Sequence, residues 1–410
     1  MRLLVVATGV VFLVLACGSV ATAQRSYLAA WSGDADREHS DFLAIVDVDP
    51  QSPHYGRVVA SLPVGERSTR PHHVEHSFTE GHTLFASGFN GNRLFRFDLA
   101  DPLRPRLAGA VELPSTLAYP HSLERLATGN VVAAMHALDG TFQPPGGIAE
   151  FADDGTVTRW ASAETASVPG NVVRPYSLAV VPAYDRLVTT SGQMGLARWD
   201  SRRDNFANEP AGFHIQLWRL TDFTLLATAA LSSPDGSDAH LMPYEPRVLE
   251  DGSTVLVVTA RCGLYLVGGL DVDSFDAELI HEFEGRGCAV PLRVGRFWVQ
   301  TTSETRRVVV LDVSDPTQPF EVSRLQFDER QAPHWLAFDD RRQRIVVVNH
   351  EGGEPRMWMV DFDISTGEIT LDDDFRGNES DRAGVSFDRA AWPHGPTGPA
   401  FPHGTVFVQD

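Results

Sequence analysis

Histidines recur beside prolines at widely separated points of this chain, and imidazole is the commonest metal-ligating side chain in proteins. The densest group is Arg70-Pro71-His72-His73-Val74-Glu75-His76, and Pro-His pairs return before apolar segments further along. Neutral imidazoles that converge on one point are the usual ligands for copper, zinc or non-haem iron. The candidate metal ligands are therefore His72, His73, His121, His334 and His403. The adjacency of His72 and His73 leaves open which of the two points inward.

A ligating histidine needs a hydrogen-bond acceptor for its second ring nitrogen. Glu75 and Glu245 are the carboxylates placed to serve, and they are the predicted catalytic residues. The alternative is that each Pro-His pair is a turn whose imidazole bonds to backbone or water. His394 competes with His403 for the last position, and we favour His403 because the strand-like Thr405-Val406-Phe407-Val408 follows it.

The histidines fall on a repeat that runs through the whole chain. Seven similar strand beginnings, spaced 44 to 69 residues apart, are marked by His73, His121, Tyr176, Glu245, Val290, His334 and His403. A strand-rich period of roughly 40–50 residues is typical of propeller blades, and the longer steps would carry inserted loops. We therefore predict an all-β fold, a seven-bladed β-propeller. Because the innermost strand of each blade lines the central channel, side chains at these positions would meet near one axis.

Further strand-like segments follow each strand beginning. They are rich in β-branched or aromatic residues, close on acidic residues and mostly end with proline, which predicts the outer strands of blades. The clearest are segments 42–50, 92–102, 307–316 and 357–363. Segments 201–212 and 372–391 are predicted to be loops, and no helix of ten or more residues is predicted.

Composition limits the classes of function that are open. The chain has 410 residues, is 43% hydrophobic and carries a net charge of −20. It can bury a large core, and a propeller can absorb it as one closed domain. Nucleic acids and anionic membranes are poor partners, because a phosphate backbone needs a basic footprint. The sequence also lacks a glycine-rich phosphate loop, an HExxH motif and a Gly-x-Ser-x-Gly nucleophile elbow.

Residues 1–23 have the pattern of a signal peptide. Met1-Arg2 is positive, residues 3–15 are apolar, and Ala21-Thr22-Ala23 fits a cleavage site. We predict cleavage after Ala23, a single propeller domain over residues 24–410, and a periplasmic or secreted protein. A lipid-modified Cys17 is the alternative. No later segment approaches the roughly 18 apolar residues of a membrane span.

The mature chain keeps only Cys262 and Cys288. Export to an oxidising compartment favours a disulfide bond between them. Two free buried thiols, or a thiolate ligand for copper, are the alternatives.

Five segments carry a resemblance to a known family. Segment 41–55, DFLAIVDVDPQSPHY, is similar to a D-[YF]-L-A-x-V-D-V-D-P-x-S-P-x-Y signature, and the pair at 72–73 follows as that family's HH does. His121 falls on the first histidine of its H-T-S-H segment. Segments 243–247 and 398–403 are similar to its P-L-E-I-R and G-P-A-L-A-H. On these residues the chain resembles the selenium-binding protein family, whose characterised members are methanethiol oxidases.

The resemblance implies a seven-bladed propeller with histidine-bound copper, which oxidises a small thiol with oxygen and water to an aldehyde, hydrogen sulfide and hydrogen peroxide. Three positions depart from the family pattern. Glu124 stands where the family has the second histidine of H-T-S-H, and His334 stands where the family more often has a non-ligand. Gly56 replaces a cysteine linked with selenium binding, so we expect no selenium to be held by that route.

We therefore expect an exported methanethiol oxidase-like oxidoreductase that uses copper, or another transition metal, with a small thiol and O2 as its partners. The alternative is a non-catalytic propeller that binds a ligand or a protein at one face, since propellers host many functions. A calcium-dependent lactonase-type propeller is a third option. It would need Asp, Asn and Glu at the channel positions, where this chain has mostly His and Pro.

Overall fold

The computed structural model describes residues 26–168, 170, 172–192, 212–273, 275–349, 352–377 and 382–409. Within these ranges the strands form seven antiparallel sheets, six of four strands and one with a fifth, arranged as a seven-bladed β-propeller. The predicted fold class is confirmed. The predicted signal peptide and most of the predicted loop 201–212 lie outside the described residues, and the signal peptide remains a prediction.

Blades one to three take their strands mainly from the first 162 residues. They are β1 (Ser26–Asp34), β2 (Phe42–Asp47), β3 (Val58–Pro63), β4 (Pro71–Val74), β5 (Leu84–Gly88), β6 (Arg93–Asp98), β7 (Arg106–Val111), β8 (Ala118–Arg125), β9 (Val131–Ala137), β10 (Gly147–Phe151) and β11 (Val157–Ser162).

Blades four to six follow in order. Their strands are β12 (Pro175–Val181), β13 (Arg186–Ser191), β14 (His214–Arg219), β15 (Leu225–Ala230), β16 (Pro243–Val248), β17 (Val255–Thr259), β18 (Gly263–Gly268), β19 (Asp276–Glu282), β20 (Leu292–Val294), β21 (Phe297–Thr302), β22 (Arg307–Asp312) and β23 (Phe320–Gln326). A 3-10 turn at Pro182–Tyr184 joins β12 to β13, and no residue of the described ranges is α-helical.

Blade seven and the closing strand complete the ring. These strands are β24 (Pro333–Asp339), β25 (Arg344–Asn349), β26 (Arg356–Phe362), β27 (Ile369–Leu371), β28 (Val385–Ser386) and β29 (Ala400–Gln409). Strand β28 pairs with β26, so the prediction that segment 372–391 is only a loop was wrong at that point. Val385 and Ser386 pair with Met357 and Arg356, which the acidic composition of the segment did not predict.

The ring closes through hydrogen bonds between the two ends of the described chain. Strand β29 is the innermost strand of blade one and pairs antiparallel with β1, in the order β29-β1-β2-β3. Two tryptophans fix this blade to its neighbours. The Trp31 indole donates to the Ser87 carbonyl of blade two at 2.8 Å, and the Trp335 indole of blade seven donates to the Thr405 carbonyl at 3.0 Å.

Burial decreases from the axis outward. Central strands such as β5 and β25 are buried along their whole length, whereas the outer strand β7 is mostly exposed. A central strand is covered on both faces by the neighbouring blades, and it therefore needs a continuous apolar run rather than an alternating one. The predicted outer strands at 42–50, 92–102, 307–316 and 357–363 all occupy the third position of their blades.

Blades five and six are also joined covalently. Cys262, between β17 and β18, forms a disulfide with Cys288, which precedes β20. The predicted pairing is confirmed, and the thiolate-ligand alternative is thereby removed.

The described residues contain no helix with the length and hydropathy to cross a membrane.

Candidate metal centre

The seven predicted strand beginnings lie on, or just before, the innermost strands of the seven blades. In blade two, His72 and His73 stand opposite the single residue Ser87, which makes a β-bulge in β4. Similar bulges interrupt the inner strands between Pro120 and Leu123, Pro175 and Leu178, Pro243 and Glu245, and Pro333 and Trp335. A bulge leaves an extra residue unpaired and re-aims its side chain. The bulges therefore turn adjacent side chains toward the axis.

Three histidines from three blades meet edge to edge at this level. His72 Nε2 lies 2.9 Å from His121 Nε2, and His72 Nδ1 lies 2.9 Å from His403 Nε2. These three histidines and the neighbouring His73 are all buried. Burial lowers the pKa of His72 well below its usual value, and the neighbouring rings of His403 and His121 lower it further. Burial also lowers the pKa of His73 and of His121 well below the usual value. A lowered pKa favours the neutral imidazole, which is the form that binds metal ions.

The hydrogen bonds around the cluster leave it one proton short. His121 Nδ1–H donates to the Tyr176 carbonyl at 2.7 Å, and His403 Nδ1–H donates to the His72 carbonyl at 3.1 Å. A neutral ring that donates from Nδ1 presents only a lone pair at Nε2. If all three rings are neutral, both lone pairs face His72, which can donate to only one of them. The other contact then sets two lone pairs against each other at 2.9 Å, a repulsion that a bridging proton or metal ion would relieve.

The His73 ring also contacts the cluster, with its centroid 4.3 Å from that of His121 and 4.8 Å from that of His72. Its Nδ1 is 2.9 Å from Ser122 Oγ, and its Nε2 is 3.8 Å from Glu245 Oε1. Neither His73 Nε2 nor Glu245 Oε1 has a hydrogen-bond partner among the described residues. A fully buried polar atom normally has one, because leaving it unpaired costs roughly 1–3 kcal/mol. The two unpaired atoms face the same gap.

The two predicted catalytic carboxylates have different surroundings. Glu245 Oε2 accepts from Ser177 Oγ at 2.8 Å and from Arg247 Nη1 at 3.0 Å, while Oε1 faces His73. Burial raises the pKa of Glu245, and Arg247 opposes that rise. Glu75 instead uses both oxygens on the Arg125 guanidinium, at 2.7 and 2.8 Å. The structure thus brings Glu245 to the histidines and keeps Glu75 in an ion pair.

The remaining candidate histidines also have defined places. The His334 ring centroid lies 4.9 Å from that of His403. His394 lies away from the channel, where its Nδ1 is 2.7 Å from Ser61 Oγ of β3. The structure thus places His403 in the histidine cluster and His394 outside it.

Two further histidines near the cluster were not among the predicted site residues. The buried His136 on β9 stacks on His121 with ring centroids 5.2 Å apart, and neither of its ring nitrogens has a hydrogen-bond partner in the described part of the chain. His76, which is half-buried, stacks on Trp335 at 5.1 Å and lies 3.2 Å from Arg247 Nη2. A histidine inside an otherwise apolar strand was the available signal for His136.

A cavity of about 550 Å³ is lined by His76, Glu124 and Arg247, together with inner-strand residues such as Leu178 and Val406. Burial within the channel raises the pKa of Glu124 to about 7, although the neighbouring Arg247 lowers it. Volumes of roughly 300–1,000 Å³ are typical of small-molecule sites.

Comparison with known proteins gives one family and several relatives. The model of the 56 kDa selenium binding protein family (SBP56) matches residues 19–258. A methanethiol oxidase of Hyphomicrobium sp is 29% identical over 178 residues, which are 42% of this chain and 39% of that protein. Selenium-binding protein 2 of Arabidopsis thaliana is 25% identical over 248 residues, 55% of this chain and 48% of that protein. The chain thus matches about half, or less, of the length of these relatives.

A solved structure has the same architecture. The hypothetical selenium-binding protein from Sulfolobus tokodaii superimposes with a TM-score of 0.73 at 16% identity, over 94% of this chain and 93% of that chain. At that identity the likeness concerns the fold alone.

Proposed function

Because the chain belongs to the 56 kDa selenium-binding protein family, we propose that it is an exported, copper-dependent oxidase of a small thiol. A thiol of the methanethiol type, oxygen and water give an aldehyde, hydrogen sulfide and hydrogen peroxide. The carbon loses two electrons, and O2 gains them together with two protons. The proposed periplasmic or secreted location rests on the signal-peptide pattern of residues 1–23.

The observation that carries the proposal is the missing proton of the imidazole cluster. The Nε2 lone pairs of His121 and His403 both point to His72, and a neutral His72 can donate a hydrogen bond to only one of them. Ligating atoms of His72, His73 and His121 all lie within 4.8 Å of one another, close enough to bind one ion. Three nitrogen donors in a buried site suit copper, zinc or iron. Copper is our choice because of the family's methanethiol oxidases.

Each side chain has a proposed role. His72, His73 and His121 hold the metal, and the Tyr176 carbonyl fixes the His121 ring in the tautomer whose Nε2 is free to ligate. Bound copper would supply a redox-active Lewis acid for sulfur and oxygen chemistry. Glu245 Oε1 takes the thiol proton, since it is unpaired among the described residues and its pKa is raised by burial.

Selenium has no proposed place in this chain. Gly56 has φ of 74°, and a Cβ atom added there would lie 2.8 Å from the Arg376 carbonyl oxygen. A contact below 3.0 Å to backbone requires the chain to move. The cysteine of the resembling family would therefore not fit at position 56 without rearrangement.

The deciding experiment measures metal content and peroxide production together. Protein reconstituted with copper should carry about one ion per chain and convert methanethiol and oxygen to hydrogen peroxide and hydrogen sulfide. The double variant His72→Ala/His121→Ala should lose both properties. The variant His54→Ala is the matched control, because His54 is exposed in a turn outside the channel.

Two outcomes would contradict the proposal as a whole. Copper that stays bound in the double variant would mean that these histidines do not form the site. No copper above trace after reconstitution, in a folded wild-type protein, would favour a non-catalytic binding propeller. A protein that binds copper but forms no peroxide with methanethiol would keep the metal site and reject the substrate.

A further inference from the structure

The connection between β1 and β2 holds a second group of metal-binding side chains, well separated in sequence from the central histidines. Asp34 ends β1, and Asp36 and His39 follow in the sequence Asp34-Ala35-Asp36-Arg37-Glu38-His39. The side chain of Asp34 is only 1% exposed, whereas those of Asp36 and His39 are 58% and 46% exposed. One buried and two accessible donors therefore share a single turn.

The buried carboxylate is incompletely bonded. Asp34 Oδ2 accepts from the His39 backbone N–H at 2.9 Å. Asp34 Oδ1 is fully buried and has no hydrogen-bond partner in the described ranges. An unpaired carboxylate oxygen in a buried position is costly unless a cation or a proton compensates it. This unsatisfied oxygen is the observation that separates the turn from an ordinary exposed acidic cluster.

The three side chains converge at distances that suit one ion. His39 Nδ1 lies 3.8 Å from Asp34 Oδ2 and 3.8 Å from Asp36 Oδ1, and one ligand atom from each residue falls within 4.8 Å of the others. Zinc bound at about 2.0–2.2 Å by nitrogen and oxygen holds its donors roughly 3.2–3.6 Å apart in a tetrahedron. Movements of a few tenths of an ångström in the two exposed side chains would close that difference.

The charges of the turn point the same way. Burial raises the pKa of Asp34, and the nearby Asp36 carboxyl raises it further. A third carboxylate, that of the buried Asp41, accepts from the Asp34 backbone N–H at 3.0 Å. Arg37 and Arg70 line the cavity that adjoins Asp34 and Asp41, at one side of this group. The three carboxylates concentrate negative charge where a divalent cation would neutralise it.

We propose that Asp34, Asp36 and His39 bind a divalent metal ion, with zinc preferred. The imidazole nitrogen disfavours calcium and magnesium, which take oxygen ligands, and two carboxylates with one imidazole are a common zinc donor set. Three protein ligands leave a fourth position open. Asp34 itself lines a cavity of about 230 Å³ whose wall also includes His403 of the central cluster.

Metal at this turn would stabilise the closure of the ring. Asp34 pairs with Ala400 at the start of β29, three residues before His403. An ion that fixes the turn after β1 therefore fixes the edge at which the last strand enters the sheet. We expect zinc to raise the melting temperature of metal-free protein, because a ligand that binds only the folded state stabilises it.

The test compares zinc binding by metal-free full chain with that of Asp36→Asn/His39→Gln. Both substituted side chains are largely exposed, so the variant should fold, as circular dichroism would verify. His54→Gln, an exposed histidine of the same blade, is the matched control. In a calorimetric titration with zinc alone, the wild type and the control should each bind one more equivalent of zinc than the variant. Alternatively, the variant should bind that equivalent at least tenfold more weakly.

Equal zinc stoichiometry and affinity in the wild type and in Asp36→Asn/His39→Gln would overturn the proposal, and would leave a shared proton as the compensating charge at Asp34. Binding of calcium but not zinc at the turn would overturn the choice of ion. The result does not depend on the central site. The variant His72→Ala/His121→Ala, titrated in parallel, should keep the zinc equivalent that the turn provides.

Discussion

Single protons decide what the residues of the channel can do. His73 Nε2 and Glu245 Oε1 face each other across 3.8 Å, and among the described residues neither has another partner. Ser177 and Arg247 hold the opposite oxygen of Glu245, so the free oxygen has a fixed direction. A carboxylate fixed in this way can take a proton from a bound molecule without first reorganising.

The variant Glu245→Gln should retain copper and lose turnover. Gln keeps the shape of Glu and can still accept from Ser177, but it cannot take a proton. We expect kcat to fall by roughly 10²–10⁴-fold, the usual contribution of a general base. Peroxide production per copper ion measures this directly.

Glu75→Gln is the matched comparison for Glu245→Gln. It removes a buried carboxylate whose two oxygens are engaged by Arg125. This variant should lose stability and keep the kcat of its folded fraction. Equal losses of kcat in the two variants would contradict the assignment of the proton acceptor to Glu245.

Glu124 makes stability depend on pH near neutrality. In the folded protein its carboxyl holds a proton up to a pKa of about 7, because the channel desolvates it. In the unfolded chain a glutamate titrates near pH 4.3. Unfolding therefore releases a proton between these pH values, and the stability of the native state falls as pH rises through that window.

The variant Glu124→Gln should remove this part of the pH dependence. Between pH 4.5 and 7.5 the free energy of unfolding of wild-type protein should fall by about 2 kcal/mol more than that of the variant, a figure reduced for the partial exposure of Glu124 to the cavity. Urea unfolding of metal-free protein at both pH values gives the difference. Parallel curves for the two proteins would mean that Glu124 ionises normally in the folded state.

At the scale of the strands, a recurring backbone device delivers side chains to the axis. Arg70, Tyr119 and Met242, each the residue before an inner-strand proline, have φ of 55°, 56° and 61°. The chain turns sharply there. Proline then begins β4 and β16, at a position that needs no N–H, and is the third residue of β8. The bulge follows within three residues. This order of turn, proline and bulge is therefore shared by the inner strands of blades two, three and five.

The disulfide acts on the scale of two blades. It closes a 26-residue loop between Cys262 and Cys288. Restricting the unfolded chain over such a loop contributes about 3 kcal/mol in the chain-entropy account. The variant Cys262→Ser/Cys288→Ser should have a free energy of unfolding that is lower by that amount, as measured by urea unfolding. Its folded form should keep the copper stoichiometry of the wild type, because the disulfide contributes no proposed ligand.

Wild-type protein unfolded with and without reductant is the control for the disulfide variant. Reduced wild type and the variant should unfold together. A variant that loses copper while it remains folded would mean that blades five and six position the metal ligands.

At the scale of the whole molecule, ring closure links the candidate metal centre to overall stability. Strand β29 supplies both the innermost strand of blade one and His403. A chain that ends after Gly398 should therefore lose its cooperative unfolding transition along with its metal, since β1 would become an unpaired inner edge. Thermal unfolding followed by circular dichroism measures this.

A circular permutant is the control for the truncation. Closure is made by hydrogen bonds between β1 and β29 rather than by covalent continuity. Joining the two ends of the described chain and opening the exposed turn after β22 should preserve the fold and the copper stoichiometry. A truncated chain that still melts cooperatively would contradict this account of closure.

The sequence by itself determined the class of the fold, the number of blades and most of the histidines that meet. Those properties depend on periods and on residue types, which are local: a strand-rich repeat and a Pro-His pair can be read without coordinates. The disulfide followed in the same way, because the two cysteines were the only ones left after the predicted signal peptide. Even the choice of His403 over His394 rested on the strand that follows it.

Only the tertiary structure decided the proton balance and the surroundings of the carboxylates. Which ring nitrogen faces a carbonyl depends on bulges and on neighbours from other blades, as for His121 and the Tyr176 carbonyl. Glu75 and Glu245 look alike in sequence, yet Arg125 binds one and His73 faces the other. Hydrogen bonding and desolvation act over a few ångströms between residues that are far apart in the chain, so no local pattern encodes them.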